Sequence, residues 1–223
     1  MSGLALITIG QAPRVDVTPD IAAALIGIEY AEYGALDLLS AHEIEGLRPQ
    51  EGESVLVSRL RDGGSAVMSE RRALPLVQDA VTRAARDGAE AILVMCTGDL
   101  PGLHADVPVY LAERLARGGA DALAGDDRLA VLVPKREQSS AVAGHWLHDH
   151  GRDVGTGVAD PYSAAPGAFA AAAKPLIADG ARWIFLDCIG YSEAMADEIR
   201  ALGVRVLTAR TMAARLVAEV ASR

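Results

Sequence analysis

Short unbroken apolar runs recur along this chain, and each is followed by a stretch in which apolar residues return every three or four positions. The four strongest runs are LALITI (4–9), AEAILVM (89–95), RLAVLVP (128–134) and ARWIFLD (181–187). Runs of this length without polar alternation predict strands covered on both faces, as in parallel sheets. Weaker strands are expected near Ile28–Tyr33 and at VPVYL, RDVGTGVA and VRVL. ESVLVSRL and SAVMSE flank RDGG, which predicts a hairpin. The helical stretches carry their own punctuation. Thr18 stands as N-cap before Pro19 in TPDIAAALI, and Ser40 with Glu43 forms a capping-box pattern. A long helix is expected from about Arg72 to Asp87, with Gly88 ending it. AERLARGGADAL reads as a weaker helix. Further helices are expected at KREQSSAVAGHWLHDH, PGAFAAAAKPLIADG, about Ser192–Leu202, and TARTMAARLVAEVAS.

Strands alternating with helices predict an α/β protein with mainly parallel sheets. LALITI and RLAVLVP each open a βα series that leads to another strong run, so the expected architecture is two pseudo-symmetric βα lobes. The first takes residues 1–115, with the C-terminal segment available to complete it; the second takes 116–223. The division falls near 110–127, where RGGADALAGDD is rich in Gly, Ala and Asp. The first series is the longer, and the excess corresponds to the hairpin region at 51–70.

The duplication is clearest in DGAEAILVMCTG (87–98) and DGARWIFLDCIG (179–190), which are identical at six aligned positions. Cys96 and Cys188 are the only cysteines of the chain, and each occupies the same place in the repeat, at the end of a buried strand and two residues before a glycine. Ligands of parallel α/β sheets bind outside the C-terminal strand ends. Glycine lets backbone N–H groups approach them. Two such thiols facing one cleft suit acid–base work on opposite faces of one carbon, with the N–H groups after each cysteine holding a carboxylate. The plain alternative is that each cysteine is a small core residue.

Composition narrows the setting. The net charge of −9 is accompanied by no basic run, which argues against nucleic acid and anionic membrane surfaces. No segment approaches the ~18 apolar residues of a membrane span. MSGLALITIG has no charged n-region and reads as a first strand, so the expected compartment is cytoplasmic, where thiols stay reduced. Two cysteines make neither a disulfide framework nor a zinc pattern. His145, His148 and His150 do not share one helix face and read as surface residues; no metal is expected. Only Lys135 and Lys174 could carry a Schiff base, and TIGQAP is not a dinucleotide fingerprint, so no cofactor is expected either.

ALITIGQAPRVDV, the SERR segment ahead of the long helix, VMCTGDLPG and LDCIGYSE together resemble the AroM family over nearly the whole chain. That family is similar to the aspartate/glutamate racemase superfamily. The resemblance implies an aspartate/glutamate racemase-like fold and a cofactor-independent site built on a cysteine pair. It implies a small-molecule carboxylate as partner, and leaves a homo-oligomer open. Cys96 and Cys188 are the expected acid–base pair. Gly10, Gln11 and Arg14 of the first loop, Arg72, Thr97 and Gly98, and Ile189, Gly190 and Tyr191 are expected around the substrate. The amino-acid racemases of the superfamily carry D-S-G, C-N-T and G-C-T at the three motif positions. This chain has T-I-G-Q, Cys96-Thr97-Gly98 and Asp187-Cys188-Ile189 instead. The expected function is racemisation or isomerisation of a small carboxylate. The rivals are a single-cysteine decarboxylase, a non-catalytic metabolite-binding protein and a dithiol redox sensor.

Overall fold

The computed structural model describes residues 3–221. The strands are β1 (Leu4–Thr8), β2 (Tyr30–Gly34), β3 (Val55–Arg59), β4 (Ser65–Ser69), β5 (Ala91–Met95), β6 (Val109–Leu111), β7 (Leu129–Val133), β8 (Gly155–Val158), β9 (Trp183–Leu186) and β10 (Arg205–Thr208). The helices are α1 (Thr18–Ala22), α2 (Ala41–Glu45), α3 (Glu70–Arg86), α4 (Ala112–Ala124), α5 (Ser139–His150), α6 (Ala168–Ala178), α7 (Glu193–Arg200) and α8 (Ala209–Ala221). The chain divides into two compact units, one of Met1–Arg114 with Ala214–Arg223, the other of Leu115–Ala213.

Each unit holds a four-stranded, wholly parallel sheet. In the first the order is β2-β1-β5-β6, and in the second β10-β9-β7-β8. The plan is the same in both. The opening strand is internal, the next strand flanks it on one side, and the third and fourth extend the sheet on the other. The direction of winding therefore reverses between β1 and β5, and again between β7 and β9. Crevices at such reversals are where open α/β sheets bind ligands. β1, β5 and β7 are buried at every position, which accounts for their lack of polar alternation.

The first unit also contains the expected hairpin. β3 and β4 pair antiparallel from Val55↔Ser69 to Arg59↔Ser65. Burial alternates along β3, so one face packs while the other meets solvent. Leu56, Ala66 and Met68 join the core formed by Ile7, Ile9, Ile92, Val94 and the buried face of α3.

Local signals are realised unevenly. Ser40 and Glu43 form the capping box, with Ser40 Oγ accepting from Glu43 N–H and the Glu43 carboxylate accepting from Ser40 N–H. Gly88 follows α3 with φ +91°, a conformation that favours glycine. Thr18 does not cap α1, contrary to expectation. Val17 holds the cap position and Thr18 is the first helical residue, its hydroxyl within hydrogen-bond distance of the Arg14 carbonyl at 3.0 Å and Glu32 Oε1 at 2.9 Å. β2 begins at Tyr30 because Ile28 N–H bonds back to Leu25 O in a turn. Among the described residues no helix is long and apolar enough to cross a membrane.

Candidate functional site

In the first unit, Thr8 pairs with Met95 at the end of the β1–β5 ladder, and Cys96 is the next residue. Cys96 is 7% exposed and belongs to the apolar core with Leu56 and Leu100. The chain then turns, and Gly98 N–H donates to Cys96 Sγ at 3.2 Å. The Cys96 carbonyl accepts from Glu113 N–H at the start of α4. A Cβ on Gly98 would overlap the Leu56 δ-methyl, so the hairpin covers this turn with hydrocarbon.

The loop after β1 closes on the same hairpin. A Cβ at Gly10 would overlap the Arg59 carbonyl and lie 2.5 Å from Ser58 Oγ. Arg14 is buried in this loop. Its Nε and Nη2 grip Asp16 at 2.8 Å each, and its Nη1 donates to Thr8 Oγ1 at 3.0 Å and Ser58 Oγ at 3.3 Å.

The second unit repeats the cysteine turn. Leu132 pairs with Leu186, Asp187 N–H continues to Leu132 O, and Cys188 follows. Gly190 N–H donates to Cys188 Sγ at 3.3 Å, matching the 3.2 Å of the first turn. Cys188 is half-buried, more open than Cys96. It packs against the apolar core that includes Leu132, Leu186, Phe169 and Tyr191, and buried charges tie down the residues on either side of it. Arg117 Nε and Nη2 reach Asp187 Oδ2 at 3.0 and 2.9 Å, both side chains being buried. Arg210 donates to the carbonyls of Ile189 at 2.8 Å and Gly190 at 2.7 Å, which fixes the turn from behind. A Cβ at Gly190 would fall 2.6 Å from the Tyr162 hydroxyl and 2.8 Å from Pro161 Cγ. Tyr191 is buried edge-on against Phe169 and donates its hydroxyl to Ala159 O at 2.7 Å. Burial first, and the neighbouring Cys188 and Asp187 next, push its phenol well above the ordinary tyrosine range.

Two carboxylates steady the surrounding loops. Asp160 accepts from Lys135 Nζ at 2.5 Å, Tyr162 N–H at 2.9 Å and Ser163 Oγ at 2.9 Å. Glu193 accepts from Thr208, Thr211 and Arg200. Burial acts to raise both acids, but these donors together outweigh it and hold each below its usual value.

The expected site residues are therefore brought to strand ends, with several in roles other than those expected. The N–H groups of Gly98 and Gly190, expected to face a carboxylate, are directed at the cysteine sulfurs. The Arg14 fork is closed on Asp16. Arg72 donates to the Gly46 and Arg48 carbonyls at 3.1 Å and approaches Glu53, lying against the 46–53 loop. Tyr191 is a packed anchor of the loop carrying Ala159. Gln11 bridges the Leu36 carbonyl and Arg61 N–H, and lines a hollow of about 570 Å³ with Ile44, Arg48 and Arg61, among whose lining residues there is no cysteine. Ile189 is buried and Thr97 half-buried. Arg117, Arg210, Ser58 and Tyr162 were not legible as site residues. Asp187, a charge at the end of a buried strand, was the one signal that a cation had to be near. His150 packs with its ring tilted against Trp146, and among the described residues no group of three or more His, Cys, Asp or Glu side chains is placed to hold a metal ion.

The model of the AroM protein family matches residues 4–221. No curated protein sequence matches. Among solved structures, a liganded double variant of arylmalonate decarboxylase is similar with a TM-score of 0.65 at 16% identity, covering 100% of this chain and 93% of that one. Allantoin racemase from Klebsiella pneumoniae is similar at 0.63 and 17%, covering 98% and 87%. A candidate Asp/Glu racemase from Yersinia pestis is similar at 0.61 and 19%, covering 100% of each chain. At these identities the likeness establishes a shared aspartate/glutamate racemase-like fold.

Proposed function

The chain belongs to the AroM family, and from that premise we propose that it is a cofactor-independent racemase or isomerase of a small carboxylate, with Cys96 and Cys188 as its acid–base pair. One observation carries the reading. The same turn occurs twice, at the third strand of each sheet, with a strand-end sulfur accepting from the N–H two residues on at 3.2 and 3.3 Å. A core cysteine has no need of that geometry, whereas an N–H donated to sulfur favours the thiolate that acts as a base. Names of structural relatives support the class: allantoin racemase and a candidate Asp/Glu racemase share the fold.

In the proposed reaction one thiolate takes the proton from the carbon beside the carboxylate. The electron pair left on that carbon is delocalised into the carboxylate, and the thiol on the opposite face supplies a new proton. Configuration inverts and the two sulfurs exchange protonation states. The expected partner is thus a small carboxylate with an acidic carbon beside the carboxylate group.

A second reading is favoured by the unequal environments of the cysteines. Cys96 is packed under Leu56, and Cys188 is more open. A decarboxylase needs only one proton donor. The bond to the departing CO₂ breaks, its electron pair stays on carbon, and Cys188 protonates it. The fold is shared with arylmalonate decarboxylase.

The test is proton NMR of a panel of small mono- and dicarboxylates incubated with the protein in D₂O. Solvent deuterium at the carbon beside a carboxylate, with no loss of carbon, is the expected result. Release of CO₂ with deuterium in the product selects the second reading. Binding without exchange at any member of the panel would sink both in favour of a metabolite-binding protein.

A further inference from the structure

We propose that Tyr162 is a substrate-positioning residue of the Cys188 turn, its phenol donating to the carboxylate of the bound ligand. The inference rests on the reading of Cys188 as a reactive thiol and adds to it a recognition element on the neighbouring loop.

Four observations on one unit carry it. The phenol end of Tyr162 packs so closely on Gly190 that its hydroxyl lies 2.6 Å from where a Cβ would be. Gly190 is the residue whose N–H bonds the sulfur, so the hydroxyl packs on the thiol turn itself. The loop that carries it is fixed before any ligand arrives. Asp160 takes Tyr162 N–H, Ser163 Oγ and Lys135 Nζ, while Tyr191 ties down Ala159 on the loop's other side. A donor held this way loses little freedom on binding. Pro161, also packed against Gly190, stiffens the approach.

The comparison of the two turns supplies the selectivity argument. The matching position over Gly98 is filled by a Leu56 methyl. If both covers served only to pack a glycine, hydrocarbon would suffice at each. A phenol at one alone places a hydrogen-bond donor on the Cys188 side, and the ligand group that suits it is a carboxylate oxygen.

The experiment uses the full chain carrying Cys96→Ala, which leaves Cys188 as the single thiol. Its alkylation is followed by mass spectrometry with iodoacetate and with iodoacetamide. In each case the sulfur–carbon bond forms as iodide leaves with its electron pair. The two reagents have nearly the same shape, but only iodoacetate carries a carboxylate. Adding Tyr162→Phe removes the hydroxyl and keeps the ring. The expected result is an iodoacetate-to-iodoacetamide rate ratio that falls about 10-fold in the Tyr162→Phe protein, with the iodoacetamide rate itself unchanged. An unchanged ratio with Cys188 still reactive overturns the role of Tyr162 alone. A Cys188 slower than a free thiol toward both reagents overturns the reactive-thiol reading and this inference with it.

Discussion

Arg117 and Asp187 meet as a buried ion pair immediately ahead of Cys188, with side-chain exposures of 4% and 0% and two guanidinium nitrogens on one carboxylate oxygen at 2.9–3.0 Å. The pair fixes the residue through which β9 hands the chain to the cysteine turn. Removing one partner from such a pair leaves a buried charge without its counterion, and the loss is on the order of 3–5 kcal/mol. Arg117→Met and Asp187→Leu are each expected to lower urea-unfolding stability by that order. The double variant Arg117→Met/Asp187→Leu should lose much less than the sum. Additive losses in the double-mutant cycle would show that the two side chains act separately.

The glycines of the strand-end loops should differ in their tolerance of a methyl group, because different atoms stand in the way. At Gly10 the obstacle includes the Arg59 backbone carbonyl, which cannot turn aside. At Gly190 it is the rigid Pro161 ring together with the Tyr162 phenol. At Gly98 it is the tip of Leu56, which can rotate. Overpacking costs about 1–3 kcal/mol where neighbours must shift. Gly10→Ala is expected at or above the top of that range, Gly190→Ala within it and Gly98→Ala near the bottom. Chemical denaturation of the three variants gives the order, and a Gly98→Ala cost exceeding that of Gly10→Ala would contradict the packing described.

Much of this was legible in the sequence. LALITI, AEAILVM, RLAVLVP and ARWIFLD form strands because both faces of a central parallel strand are covered, and an unbroken apolar run can satisfy little else in five residues. The repeated Asp-Gly-Ala and Cys-x-Gly pattern located both cysteine turns, since a glycine two residues after a strand end reports a close approach. What escaped was long-range pairing. Nothing near Arg14 announces that Ser58, in the hairpin, takes one of its nitrogens, or near Arg210 that it holds the carbonyls of Ile189 and Gly190. The Thr18–Glu32 contact escaped for the same reason, because Glu32 is remote in sequence and adjacent in space. Side-chain partners across elements are fixed by topology, and the local pattern carries no record of them.

The Glu193 cluster sets an acid limit on the second unit. Its carboxylate, half-buried between α7 and the start of α8, is held below the usual range by the Thr208, Thr211 and Arg200 donors despite the opposing effect of burial. A folded-state value below the unfolded one adds stability above the unfolded value of about 4.3, and that stability is lost as pH falls through the folded value. Asp160 contributes in the same direction. Glu193→Gln should therefore be less stable than the parent at pH 6, and the gap should narrow below about pH 4. Urea midpoints across pH 3–7 test this; a gap that widens on acidification would reverse the assignment.

The roles of the two thiols can be separated by exchange at each face of the substrate carbon. In the proposed two-base reaction, inversion needs both cysteines, whereas exchange with retention needs only the one that removes and returns its own proton. Cys96→Ala and Cys188→Ala should each abolish racemisation of whichever carboxylate the D₂O panel identifies. Each should keep deuterium exchange on one enantiomer, and the two variants should keep opposite ones. Cys→Ser at either position keeps the shape but supplies a hydroxyl that ionises far less readily, so exchange at that face should fall by orders of magnitude. Neither alanine should unfold the chain, since a strand-end sulfur leaves a small cavity worth about 1 kcal/mol. The loss at Cys96, under Leu56, should be the larger of the two. Enantiomer-resolved NMR in D₂O reads all of this directly. Racemisation surviving in either single variant would remove the two-base reaction, and loss confined to Cys188→Ala would leave the single-cysteine decarboxylase standing.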